Sequence, residues 1–195
     1  VSNNAKFDRE WVVDKATQLY WEKGFHATSM RNLQDVIDMR PGSIYAAFGS
    51  KEGLFKETLV RYTQQGIDKL QSCRKQTSSP LSALKLFMRQ VVIEAQTQSP
   101  NGMCMLVKTV SELTDEQPEL LQAAKDALKT MEAEFEAVIV EAQTIGEVAN
   151  HKNAKALARH IQVQITGLRS YARTTDGDAP LAQMIDEVFE HHPFV

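Results

Sequence analysis

Residues 25–55 bring together cations, hydroxyls and small residues. Arg31, Arg40 and Lys51 carry positive charge, Thr28, Ser29, Ser43 and Tyr45 carry hydroxyls, and Pro41, Gly42 and Ala46 stand among them. That combination suits a structured polyanion. Cations and hydroxyls hold phosphate oxygens, arginine reaches base edges, and alanine can touch a thymine methyl. Lys51 follows Ser50 at a helix start, where free N–H groups also favour phosphate. Four of these residues have a second reading, and for Lys51 it is a solvated surface position. Tyr45 can fill a small core, Arg31 can simply solvate its helix, and Gly42 can serve helix packing as well as close approach of a partner.

Other chemistries find little support. The histidines are His26, His151, His160, His191 and His192, and none sits in HExxH or another tight ligand spacing. GxSxG and phosphate-cradling glycine loops do not occur. Glu187 and His191 lie one helical turn apart, but a solvated pair at a helix end is the simpler reading. No catalytic residue, metal or cofactor is therefore expected. Cys73 and Cys104 form no CxxC pair, which fits a reducing cytosol. No apolar run approaches the roughly 18 residues that span a bilayer, and no signal-like segment opens the chain. The expectation is a cytoplasmic protein with no membrane partner.

The net charge of −3 at first argues against nucleic acid, but the charge is unevenly divided. Residues 1–62 hold nine Lys/Arg against eight Asp/Glu, and residues 63–195 hold 13 against 17. A mildly basic head on an acidic body suits a specific DNA binder better than a nonspecific coat.

The elements that must position these residues are helical, because apolar residues recur at helical spacing almost throughout. A first helix is predicted from about Asp8 to Lys23, ended by Gly24. Thr28 or Ser29 caps a short second helix through about Val36. Ile37-Asp38-Met39 is a tight turn, Pro41 opens a short third helix, and Ser50 caps a long fourth. Leu33, Val36, Ile37, Ile44 and Phe48 can form the small core of this head. Pro80 opens the next helix, with Leu81, Leu84, Met88, Val91 and Ala95 on one stripe. A turn at Ser99-Pro100-Asn101-Gly102 precedes a short helix from Met103 to Leu113. Pro118 opens a long helix striped by Leu121, Ala124, Leu128, Met131, Phe135, Val138 and Ala142. Helices from about Lys152 to Arg173 and from Pro180 to about Glu190 follow, with a loop at Thr174–Asp178 between them. The expected fold is all-α: a three-helix helix-turn-helix head (1–50) joined by a long helix to a helical body (51–195).

The stretch Gly24-Phe25, Thr28-Ser29, Gly42-Ser43-Ile44-Tyr45, Phe48 and Ser50-Lys51-Glu52 resembles the TetR family of bacterial regulators. The resemblance implies a homodimer that binds a double-stranded DNA operator, usually as a repressor, and a body that takes a small-molecule effector. Two departures bear on the site. Asp38 stands where the turn commonly carries Gly, and Asp tolerates left-handed geometry. Arg40 stands where a capping Ser is common, so it can instead reach a base or phosphate. A helical interaction protein, or an activator without an effector, is the alternative reading.

The resemblance places an effector cavity among the helices starting near Ser50, Pro80, Met103 and Pro118. Phe87, Met88, Met103, Met105 and Phe135 are candidate lining, and the effector is expected to be apolar or weakly polar. Cys104 has two readings. As a thiol at a helix start it could react with electrophiles, as in a Gly-Cys-Leu-Leu-like stretch of some family members. As a buried free cysteine it is a small hydrophobe. For the dimer, Ala156, Val163, Gly167 and Tyr171 form a second stripe on their helix. Leu181, Met184, Ile185 and Val188 offer more apolar surface than one core face needs. Two copies of this helix pair would make a two-fold interface.

Overall fold

The helix starts are set by residues that satisfy the first free N–H groups of each helix. A computed structural model describes residues 8–98, 100, 102–175 and 180–195, and the described residues are all-α. Asp8 accepts from the Trp11 N–H at 3.1 Å and opens α1 (Arg9–Lys23). Ser29 and Asn32 cap α2 (Met30–Ile37) reciprocally, in the capping-box arrangement. Asp38 takes the left-handed conformation that the turn requires, at φ 50°. Pro41 then opens α3 (Pro41–Phe48), and Ser50 caps α4 (Lys51–Gln76) by accepting from the Gly53 N–H at 3.0 Å.

In the body, Ser79 caps α5 (Pro80–Arg89). The helix continues through a π-helical segment, Gln90–Glu94, into α6 (Ala95–Gln98). The sequence predicts one uninterrupted helix here. In the structure the Ala95 N–H bonds Gln90 O, which inserts one extra residue into the turn. Val92 thereby enters the core, while Val91 and Ala95 reach a cavity. Next come α7 (Met105–Glu112), α8 (Pro118–Thr144), α9 (Ala154–Ala172) and α10 (Leu181–Glu190). Helix α7 starts two residues later than expected because Cys104 is extended at its N-cap position. Of the expected turn at 99–102, Ser99 and Asn101 lie outside the described residues, as do 176–178 of the expected loop.

Packing produces two core clusters rather than one. The first joins α1, α2, α3 and the start of α4 to α7 and the start of α8, through Tyr20, Leu33, Ile44, Phe55, Leu106 and Ala124. The second joins the end of α4 to α5, the end of α8, α9 and α10, through Leu70, Leu84, Phe135, Ile161 and Ile185. Among the described residues, only α4 and α8 contribute buried residues to both. Val36, expected in the head core, is exposed.

The chain end packs further than the sequence suggests. Phe194 is buried against Phe189, with ring centroids 5.1 Å apart. Helix α10 is also clipped to α5, because Asp186 accepts from Arg89 at 2.7 Å and pairs with Lys85 at 3.1 Å. The Arg89 hydrogen bond, followed by Lys85, holds the Asp186 carboxyl below its ordinary range. A carboxylate stabilised in the folded state adds stability above its unfolded pKa and loses it as pH falls through the folded value. Asp186→Asn is therefore expected to cost about 0.5–1 kcal/mol at pH 7, as for a half-exposed ion pair. The difference from wild type should shrink below a pH of about 4, which urea denaturation at both pH values measures.

Candidate functional site

The polar residues of the head sort into those that face outward and those already engaged. Arg31, Arg40, Pro41, Gly42, Ser43, Tyr45 and Ala46 are all exposed, on α2, the turn and α3. Tyr45 is 48% exposed, which settles it as a surface side chain rather than a core one. Arg40 makes no capping hydrogen bond at the start of α3. A Cβ added to Gly42 would meet nothing within 4 Å, so packing within the chain gives no reason for glycine there. Behind this surface Ile44 and Phe48 anchor α3 in the core.

Three expected contacts are placed differently. Thr28 is fully buried and donates its hydroxyl to Gly24 O at 2.6 Å, so its side chain closes the turn after α1 and does not face outward. The Ser29 side chain is occupied by its cap with Asn32. Lys51 donates to Phe25 O at 2.7 Å and lies 4.3 Å over the Phe25 ring. Burial lowers its ammonium pKa. One of its three donors thus ties α4 to the turn after α1.

The second feature is a cavity of about 190 Å³ at the seam between the two core clusters. Helix α4 crosses it with Tyr62, Gly66 and Lys69, and α8 with Leu128, Met131 and Phe135. Phe87, Cys104 and Phe135 line it as the sequence suggests. Met88 and Met105 do not, because both are fully packed in the core, and Met103 is likewise absent from the wall. Trp21 from α1 and Arg169 from α9 also line it, brought there by the tertiary fold. The Trp21 indole donates to Met103 O at 2.7 Å and packs edge-on to Tyr62. Burial, and next the adjacent Cys104 thiol, push the Tyr62 phenol pKa up.

Two family models match the chain. One, for bacterial regulatory proteins of the tetR family, matches residues 12–58. The other, for the tetracyclin repressor-like C-terminal domain, matches residues 80–188, more than half of the chain. This chain belongs to the TetR family. It is a DNA-binding transcriptional regulator of that family. It is 25% identical over 170 residues to the HTH-type transcriptional repressor ComR of Escherichia coli, covering 86% of this chain and 80% of ComR. The fold is that of a cysteine variant of CifR complexed with 26-bp double-strand operator DNA, at a TM-score of 0.82 and 23% identity over 96% and 98% of the two chains. Reduced E. coli NemR superposes at 0.81 with 18% identity over 93% and 96%.

In this TetR-family chain the cavity wall is wired to the head. Helix α7 begins at the cavity with Cys104 and Leu106 and ends at the turn after α1. The Glu112 carboxylate accepts from the Phe25 N–H at 3.2 Å and the His26 N–H at 2.7 Å. One turn earlier, Lys108 donates to Trp21 O and Glu22 O at the end of α1, at 3.1 and 2.8 Å. Gly24 has φ 87°, and a Cβ there would overlap the Glu112 carboxylate. Sequence reasoning missed this clamp because its two partners are more than 80 residues apart.

The residues expected at a dimer interface divide as well. Ala156, Val163, Gly167 and Tyr171 are exposed on α9, with Val163 at 65%. Leu181 and Met184 are half-buried, whereas Ile185 and Val188 point into the chain's own core. The apolar excess of α10 is used internally, against α5 and α9.

Proposed function

We propose that this chain is a repressor that binds a palindromic operator as a homodimer and is released by a small effector in the body cavity. The division is that expected from the sequence, with DNA binding in residues 1–50 and effector binding and dimerisation in 51–195. The observation that carries the reading is the position of the cavity. It lies where α4 and α8 pass between the two cores, and α7 runs from its wall to the head. An occupant that prefers one spacing of these helices shifts the population of head orientations. The names of ComR and CifR, a repressor and an operator-bound regulator, agree with it. The test is selection of bound fragments from genomic DNA, followed by gel retardation with and without candidate effectors. A selected site lacking two-fold symmetry would count against the dimer, and transcription that falls when the gene is deleted would count against repression.

Dimerisation is assigned to the outer face of α9, with the half-buried Leu181 and Met184 edge of α10 beside it. Gly167 carries part of the argument, since a Cβ there would meet nothing within 4 Å in the single chain. A mid-helix glycine costs about 1 kcal/mol against alanine, and close approach of a second helix offsets that cost. Val163→Glu is expected to leave the fold intact and to give monomer at micromolar concentration in light scattering. A dimer of unchanged strength would move the interface elsewhere.

A further inference from the structure

The cavity wall includes a buried charge that no described residue neutralises. Arg169 is only 4% exposed and lines the cavity. Its Nε donates to Gly102 O at 2.7 Å, while its Nη2 is buried with no hydrogen-bond partner. Among the described residues no carboxylate pairs with it. Lys69 also lines the cavity, and the described lining holds no Asp or Glu. The rest of the wall is largely apolar and aromatic, with Trp21, Phe87, Met131 and Phe135. A buried guanidinium with a free donor is costly unless an anion reaches it.

Resting on the effector reading above, we infer that the cavity binds a small apolar carboxylic acid, with the carboxylate on Arg169 and the hydrocarbon against the aromatic wall. A guanidinium fork matches a carboxylate better than other small polar groups. The volume also admits such a molecule. An apolar cavity of about 150 Å³ accepts benzene, so about 190 Å³ holds one ring or a short chain with its acid group. This revises the sequence-based expectation of an apolar or weakly polar effector, since the ligand is an amphipathic anion.

The full chain is titrated with 3-phenylpropanoate and hexanoate, and with their uncharged amides. The readout is Trp21 fluorescence in a Trp11→Phe background, with thermal shift in the wild type. The acids are expected to bind at least tenfold more tightly than the amides. Arg169→Gln is expected to remove that preference while the amide affinity stays the same. The acid–amide comparison in the wild type needs no variant, so it stands even where Arg169→Gln unfolds. Amides that bind as well as the acids, or no binding by either acid, overturn the assignment. Retardation of operator DNA is measured alongside. Acid binding that depends on Arg169 without operator release supports the site and removes the effector reading. Operator binding with no acid binding leaves the regulator reading in place and removes the site.

Discussion

Glu112→Ala is expected to destabilise the protein by about 2–3 kcal/mol and to uncouple the head from the body. The carboxylate accepts two backbone N–H groups in the turn after α1. Hydrogen bonds to charged groups are each worth about 1.5–3 kcal/mol, and the partial exposure of Glu112 places the pair at the low end. Removing the acceptor leaves the buried Phe25 N–H without a partner, while water replaces the bond at exposed His26. For a chain of this length the loss lowers Tm by about 5–10 °C. Hydrogen exchange gives the specific readout, because the Phe25 and His26 amides should lose protection more than amides of α9. Equal changes in both regions would mean that Glu112 is not a local clamp. In the same variant an effector that still binds should release operator less well, since α7 no longer grips the turn. Glu112→Gln is expected to fall between, because an amide accepts one bond and turns its NH₂ toward the other donor.

The helix starts of the head were legible in the sequence, and the body only in outline. Pro41, Pro80, Pro118, Ser29 and Ser50 act through contacts within three or four residues, so their types alone locate helix starts. The π-helical segment at Gln90–Glu94 has no such marker, since its residue types suit an ordinary helix equally well. Burial by periodicity also has a limit. The stripe on α10 shows that Ile185 and Val188 are apolar together, but not whether their partner is α5 of the same chain or a second copy. Thr28 illustrates the same limit at the DNA face, because a hydroxyl near a helix start can cap outward or bond inward, and Gly24 O takes it inward. The cavity was least legible. Phe87 and Phe135 follow from the family resemblance, which places a cavity among their helices. Nothing in its residue type marks Arg169 as cavity lining, and the fold shows it enclosed. A sequence-level signal did exist. Arg169 follows Leu168 and lies four residues after Ile165, on the side of α9 that faces the core.

Arg40→Ala combined with Tyr45→Ala is expected to lower operator affinity by about 2–4 kcal/mol, or roughly 30- to 1,000-fold. Both side chains are exposed, and neither supports the head core, so Tm should stay within about 2 °C of wild type. The two losses should differ in kind. Arg40 begins α3 without a capping bond and can reach a base, so Arg40→Ala alone should relax one position of the site. Tyr45 is exposed and is expected to meet phosphate, so Tyr45→Ala should weaken all sequences alike. Lys51→Ala is a poorer probe, because Lys51 also bonds Phe25 O, and its loss should lower Tm together with affinity. Gly42 separates DNA contact from folding more sharply. Its Cβ position is open, so alanine there should stabilise α3 by about 0.5–1 kcal/mol. If DNA backbone lies against the Gly42 Cα, the added methyl occupies the space of that approach, and affinity should fall several-fold while Tm rises. The two measurements move in opposite directions only when an outside surface uses the gap. Gly42→Ala with higher Tm and unchanged affinity would take α3 away from the DNA at this point, and the recognition surface would then shift toward Arg31 on α2.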